Sequence, residues 1–195
     1  MANMEKSYEY RIHDSIGIRL TGLSENVESW LKRFQAPLNS PADLEVRVSE
    51  TMPDDPLRYI ELHRYGYSQS GFVMLTRGAK PKKVLIPLEN LGNNCLITCE
   101  KGANSVPMLQ EIIHLSAIQK GFLPLHASAF NHEGQTILAS AWPQGGKTSL
   151  LFAFSQHGAD YISDDWTYLD AEHQAYGIPL PVTVRSWQLE QLPDL

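Results

Sequence analysis

The sequence predicts an α+β protein in two parts: a mixed, β-rich unit over residues 1–104 and an α/β-type unit over residues 105–195. Three observations carry this reading. The first hundred residues are short apolar or alternating runs broken by Gly, Pro, Asn and Asp, the texture of strands and turns. A broad apolar helical pattern then opens at Val106 and closes on Gly121. After it, a short apolar strand, a glycine-rich loop and a helix follow in immediate succession between Gln135 and Gly158.

Each element has its own signal. Tyr10-Arg-Ile12 and Ile16-Gly-Ile-Arg-Leu20 are strand-like. Ser24 to Phe34 reads as a helix opened by a capping serine, with Val27, Trp30, Leu31 and Phe34 on one face. Pro37 and Pro41 punctuate, and Leu44-Glu-Val-Arg-Val48 alternates as a half-buried strand does. The turn Met52 to Pro56 leads into a run from Tyr59 to His63, and further strands are expected at Phe72–Leu75, Lys83–Pro87 and Asn94–Cys99. In the helix from Val106 to Lys120, Leu109, Ile112, Ile113, Leu115, Ala117 and Ile118 form the apolar face. Leu123 to Phe130 is an apolar strand, Asn131 to Gly134 a turn, and Gln135 to Ser140 a short buried strand.

Composition narrows the function classes. Apolar residues make up 43% of the chain, enough for a core, and the net charge of −6 gives no long-range attraction to nucleic acid. The densest basic group, Arg77, Lys80, Lys82 and Lys83, reads as a solvated turn between strands, with an anion or partner patch as the alternative. No apolar run reaches the roughly 18 residues of a membrane span, and the N-terminus carries no apolar signal core. Cys95 and Cys99 share one face of a strand and have no further ligands at zinc spacing, so buried reduced thiols and a cytoplasmic setting are expected.

The chemistry concentrates after residue 120. The run Ala141-Trp-Pro-Gln-Gly-Gly-Lys-Thr148 follows the phosphate-binding P-loop pattern, with Ala in place of the first Gly. Glycines let successive backbone N–H groups converge on phosphate oxygens, and the helix that follows points its positive end at the same anion. Gln144, Gly145, Gly146, Lys147, Thr148 and Ser149 are therefore the candidate nucleotide contacts. Lys147 is placed to reach the β- and γ-phosphates, and the Thr148 hydroxyl to ligate Mg²⁺. The plain alternative is a glycine turn carrying an exposed lysine. The strand Tyr161-Ile-Ser then delivers Asp164 and Asp165, 16 and 17 residues beyond Thr148. One can hold metal and the other accept a proton from an attacking hydroxyl; the residues alone do not say which, and a turn or cap role is the alternative. His126, on the strand before the loop, is either a core histidine or part of the same site.

Taken together, His126-Ala-Ser128, Gly145-Gly-Lys-Thr148, Gly158 and Asp164-Asp165 resemble, in order, the catalytic domain of HPr kinase/phosphorylase and the HPr-kinase-like serine kinases. The stretches Thr167–Asp170 and Tyr176–Arg185 resemble the hairpin that follows in smaller relatives, some found beside peptide-modifying systems. The resemblance implies an HPr-kinase/PEP-carboxykinase-like nucleotide-binding domain using ATP and Mg²⁺. It places Lys147 and Thr148 on the phosphates and metal, Asp164 and Asp165 as base and metal contact (Asp165 the nominal metal residue), and His126 beside the transferred group. Arg185 is expected to face a phosphate or to be an exposed strand end. The departures are the bulky Trp142-Pro143 and the chain end 30 residues after Asp165, which lead to the expectation of a truncated domain, a short relative or a site completed elsewhere.

The expected function is a Mg-ATP-dependent kinase acting on a serine-type hydroxyl of a protein or peptide. A nucleotide-sensing module without catalysis and a small-molecule kinase on the same scaffold are the alternatives. A homo-oligomer is compatible with the sequence; nucleic acid and membrane are not expected as partners.

Overall fold

The computed structural model describes residues 6–24, 28–60, 65–178, 180, 182, 184 and 186. The fold is mixed α+β and mostly sheet. Its contacts divide it into two units, residues 1–120 and 121–195. The division expected near residue 104 falls instead after Lys120, because the helix that follows residue 104 packs on the first sheet.

Among the described residues, the first unit forms a sheet of eight strands. Its strands are β1 (Ser7–Ile12), β2 (Ile16–Thr21), β3 (Leu44–Ser49), β4 (Arg58–Ile60), β5 (Tyr65–Ser68), β6 (Gly71–Leu75), β7 (Lys83–Ile86) and β8 (Cys95–Glu100), in the order β1-β2-β3-β8-β7-β6-β5-β4. The β2–β3 and β3–β8 pairs are parallel and the others antiparallel. Alternation buries one face: Ile18, Leu20, Leu44, Val46, Cys95, Ile97 and Cys99 are closed to solvent. Burial pushes the Cys95 and Cys99 thiols up to about 11 and about 12, so both stay protonated near neutrality.

Helix α1 (Leu109–Gln119) covers this sheet with Ile112, Ile113 and Ala117 buried, while Leu115 and Ile118, expected on its apolar face, are exposed. It begins three residues later than the apolar pattern because Pro107 and a left-handed Met108 (φ 58°) precede it. Its end is tied down by Lys120, 2.9 Å from Asp43, whose other carboxylate oxygen accepts the Gly17 N–H at 2.8 Å. The helix expected over residues 24–34 is a 3-10 helix over Ser29–Phe34, with Leu31 buried; Val27 lies outside the described residues. Both the expected and the observed helix end at Phe34, where Gln35 bridges to Tyr10 and Pro37 biases Ala36 toward an extended backbone. Of the basic group, Arg77, Lys80 and Lys82 lie in the turn between β6 and β7 and Lys83 opens β7; Lys82 pairs with Glu100 at 2.8 Å, which holds that carboxyl below its ordinary range.

Among the described residues, the second unit has a five-stranded sheet packed with helix α2 (Lys147–Ser155). Strand β9 (Leu123–His132) is its centre. It pairs along one edge with β10 (Gln135–Ser140) and along the other with β11 (Asp160–Ser163) and β12 (Trp166–Leu169); β13 (Ala175–Gly177) pairs with β12. Every ladder is antiparallel. β10 and β11 flank β9, so they run parallel to each other, and α2 (Lys147–Ser155) crosses between them. Leu151 and Phe152 of α2 are buried, and Phe154 lies on Phe130 of β9 with ring centroids 4.7 Å apart. Gly158 (φ 82°) ends the helix in the left-handed conformation, and Ala159 N–H reaches back to Phe154 O.

Candidate functional site

The loop between β10 and α2 is tightly closed. Gly145 N–H donates to Trp142 O at 2.8 Å. A Cβ at Gly145 would lie 2.6 Å from Ala141 Cβ and 2.8 Å from Trp142 O, so the loop admits no side chain there. Gln144 and Gly146 take left-handed backbone (φ 65° and 89°), and nothing lies within 4 Å of a Cβ built on Gly146. One glycine lets the loop fold on itself; the next leaves open space in front of the helix. Helix α2 starts at Lys147 with no side-chain cap, and the first amides of a helix have no intrahelical acceptor.

Lys147 is buried, and its ammonium returns to the loop to donate to Ala141 O at 3.2 Å. Thr148 Oγ1 donates to Asp164 Oδ2 at 2.8 Å. Asp164 is buried in the turn between β11 and β12, and its other oxygen accepts from Ser128 Oγ at 2.5 Å. The glycine loop, the start of α2, strand β9 and the aspartate turn are thus joined at one carboxylate.

Asp165 differs from its neighbour. It has left-handed backbone (φ 68°) and a half-exposed side chain, and its Oδ1 lies 3.7 Å from His126 Nε2. His126 faces the Trp166 ring at 5.3 Å, which follows from the His126–Trp166 pairing of β9 and β12. The turn is fixed from below. Ser163 and Thr167 share a hydrogen bond of 2.5 Å between their hydroxyls, and Thr167 Oγ1 donates to Ala127 O. Trp142 stands on the loop 88% exposed, beside the residue that Lys147 contacts.

Lys147, Thr148, Asp164 and Asp165 therefore gather with His126 where β10 and β11 end and β12 begins, opposite the middle of β9. Gln144, Gly145, Gly146 and Ser149 are exposed on the adjoining loop and first helical turn. Arg185 lies outside the described residues. Ser128, Ser163 and Thr167 were given no role from the sequence. Ser128 was legible in principle, since a strand places it on the same face as His126.

Oxygen donors suit Mg²⁺, which is usually held by one or two carboxylates together with a substrate's phosphates. The Thr148 hydroxyl and Asp164 carboxylate form such a set, with the open loop beside it. Among the described residues no group of three or more His, Cys, Asp or Glu is arranged to hold a metal ion alone. Also among these residues, no helix is long and apolar enough to cross a membrane. Comparison of the chain with protein-family models, curated proteins and solved structures returns no match.

Proposed function

We propose that the second unit binds ATP with Mg²⁺ at the loop Ala141–Thr148 and passes the terminal phosphoryl group to a serine-type hydroxyl of a protein or peptide. The observation that carries this reading is the Thr148–Asp164 hydrogen bond, which couples the start of the loop's helix to a carboxylate in the turn just after β11. The resemblance of His126, Gly145–Thr148, Gly158 and Asp164–Asp165 to the HPr-kinase-like kinases points the same way.

The geometry supports a division of labour. Lys147 neutralises the terminal phosphates from its place beside Ala141. Thr148 and Asp164 hold Mg²⁺, the threonine through its hydroxyl oxygen and the buried aspartate next to it. This gives the metal side to Asp164, where the sequence had nominally given it to Asp165. Asp165, half-exposed, accepts the proton of the attacking hydroxyl, and His126 beside it lines the transfer site. Bound Mg²⁺ supplies charge neutralisation; the protein supplies position and proton acceptance.

The test uses Asp164→Asn and Asp165→Asn separately. Mg-ATP binding is followed by calorimetry and γ-phosphoryl transfer by radiolabel, to water and to panels of peptides, proteins and metabolites. The expected result is that Asp165→Asn binds Mg-ATP but loses transfer, while Asp164→Asn loses the Mg²⁺ dependence of binding. Transfer at the wild-type rate in both variants would overturn the assignment. Wild-type binding with no transfer to any acceptor would leave a nucleotide-binding module.

A further inference from the structure

We propose that Ser128 is a positioning residue for the metal side of this site: its hydroxyl fixes the Asp164 carboxylate so that Thr148 presents its oxygen to Mg²⁺. The inference rests on the nucleotide reading above and deepens it.

Ser128 is fully buried at the middle of β9, 36 residues before Asp164. On one edge it pairs with Ala139 of β10. On the other edge β9 changes partner here, from β11 (ending at Ala129) to β12 (beginning at His126). The Asp164–Asp165 turn fills that change of partner, so residue 128 is the position on β9 from which a short side chain meets the turn. A strand also places His126, Ser128 and Phe130 on one face, and Phe130 carries α2 there through Phe154.

The two oxygens of Asp164 have one hydroxyl donor each, Ser128 on Oδ1 and Thr148 on Oδ2. Two donors on opposite oxygens fix the rotation of the carboxylate. With the proton of Thr148 committed to Oδ2, the lone pairs of Thr148 Oγ1 remain for a cation on the loop side. Without the Ser128 hydroxyl, Oδ1 is a buried acceptor lacking that donor and the carboxylate is free to turn, which misdirects Thr148. Groups that orient a metal's ligands in this way typically change metal affinity by about 10–100-fold when removed.

The experiment measures the Mg²⁺ concentration that half-saturates ATP binding, and ATP binding in EDTA, for the wild type, Ser128→Ala and Ser128→Thr. Cooperative thermal unfolding checks that each variant is folded. The expected result is an increase of about tenfold or more in half-saturating Mg²⁺ for Ser128→Ala, unchanged binding in EDTA, and recovery in Ser128→Thr, which keeps the hydroxyl. If Ser128→Ala does not fold, Ser128→Cys replaces it, with similar size and a weak donor. An unchanged Mg²⁺ midpoint overturns the proposal, as does an equal loss of ATP binding with and without metal, the mark of a merely structural role. Absence of ATP binding in the wild type, with Mg²⁺ and in EDTA, overturns the nucleotide reading itself.

Discussion

Replacing Thr148 by valine changes one hydroxyl to a methyl of similar size, so it isolates a single hydrogen bond. That bond, 2.8 Å from Thr148 Oγ1 to Asp164 Oδ2, ends on a carboxylate that is 5% exposed. A hydrogen bond to a charged group contributes about 1.5–3 kcal/mol, and a buried acceptor that loses its donor keeps its desolvation cost. Ser128 still satisfies the other oxygen, so the loss should lie near the middle of that range, about 2 kcal/mol. With a urea slope of about 2 kcal/mol per molar, the midpoint falls by about 1 M. Thr148→Ser keeps the hydroxyl and serves as the control. Urea unfolding followed by tryptophan fluorescence and circular dichroism measures both. Equal midpoints for the valine and serine variants would show that the bond contributes nothing and would remove the link between loop and aspartate turn.

Two further outcomes are expected. His114 on α1 is buried, and desolvation lowers its pKa from 6.5 to about 4. The folded state therefore holds the neutral ring, and the stability this provides is present above pH 6.5 and lost as pH falls toward 4, by up to about 1.4 kcal/mol per pH unit. A pH series of urea midpoints should show this fall and His114→Gln should flatten it; an identical slope in the variant refutes the assignment. Trp142, 88% exposed beside the loop, should change its fluorescence when Mg-ATP binds. The change should vanish in Trp142→Phe, and its full persistence there would place the bound nucleotide away from the loop entrance.

The strands of the first unit were legible because their apolar residues alternate or run in short blocks bounded by turn residues, as in Leu44–Val48 and Asn94–Cys99. β5 escaped, since Tyr65-Gly-Tyr-Ser68 combines a glycine with polar residues and gains its place from pairing with β4 and β6. The helical spacing of residues 24–34 gave the right end at Phe34, but the described turn is 3-10 over Ser29–Phe34, a distinction that side-chain periodicity over so few residues does not register. The boundary near residue 104 marked a change of texture rather than of packing; α1 faces the sheet before it in sequence. In the candidate site, the loop and the paired aspartates were legible as local patterns. The unequal surroundings of Asp164 and Asp165 were not, because they depend on β9 changing partners opposite the turn and on a hydroxyl from 36 residues upstream.

The central claim is that the loop Ala141–Thr148 holds a nucleotide through Lys147. Calorimetric titration of Mg-ATP into the wild type and into Lys147→Ala tests it most directly. The account predicts saturable binding by the wild type that Lys147→Ala abolishes or weakens by at least about tenfold, the equivalent of about 1.4 kcal/mol. Equal binding by the two proteins, or none by the folded wild type, would contradict it.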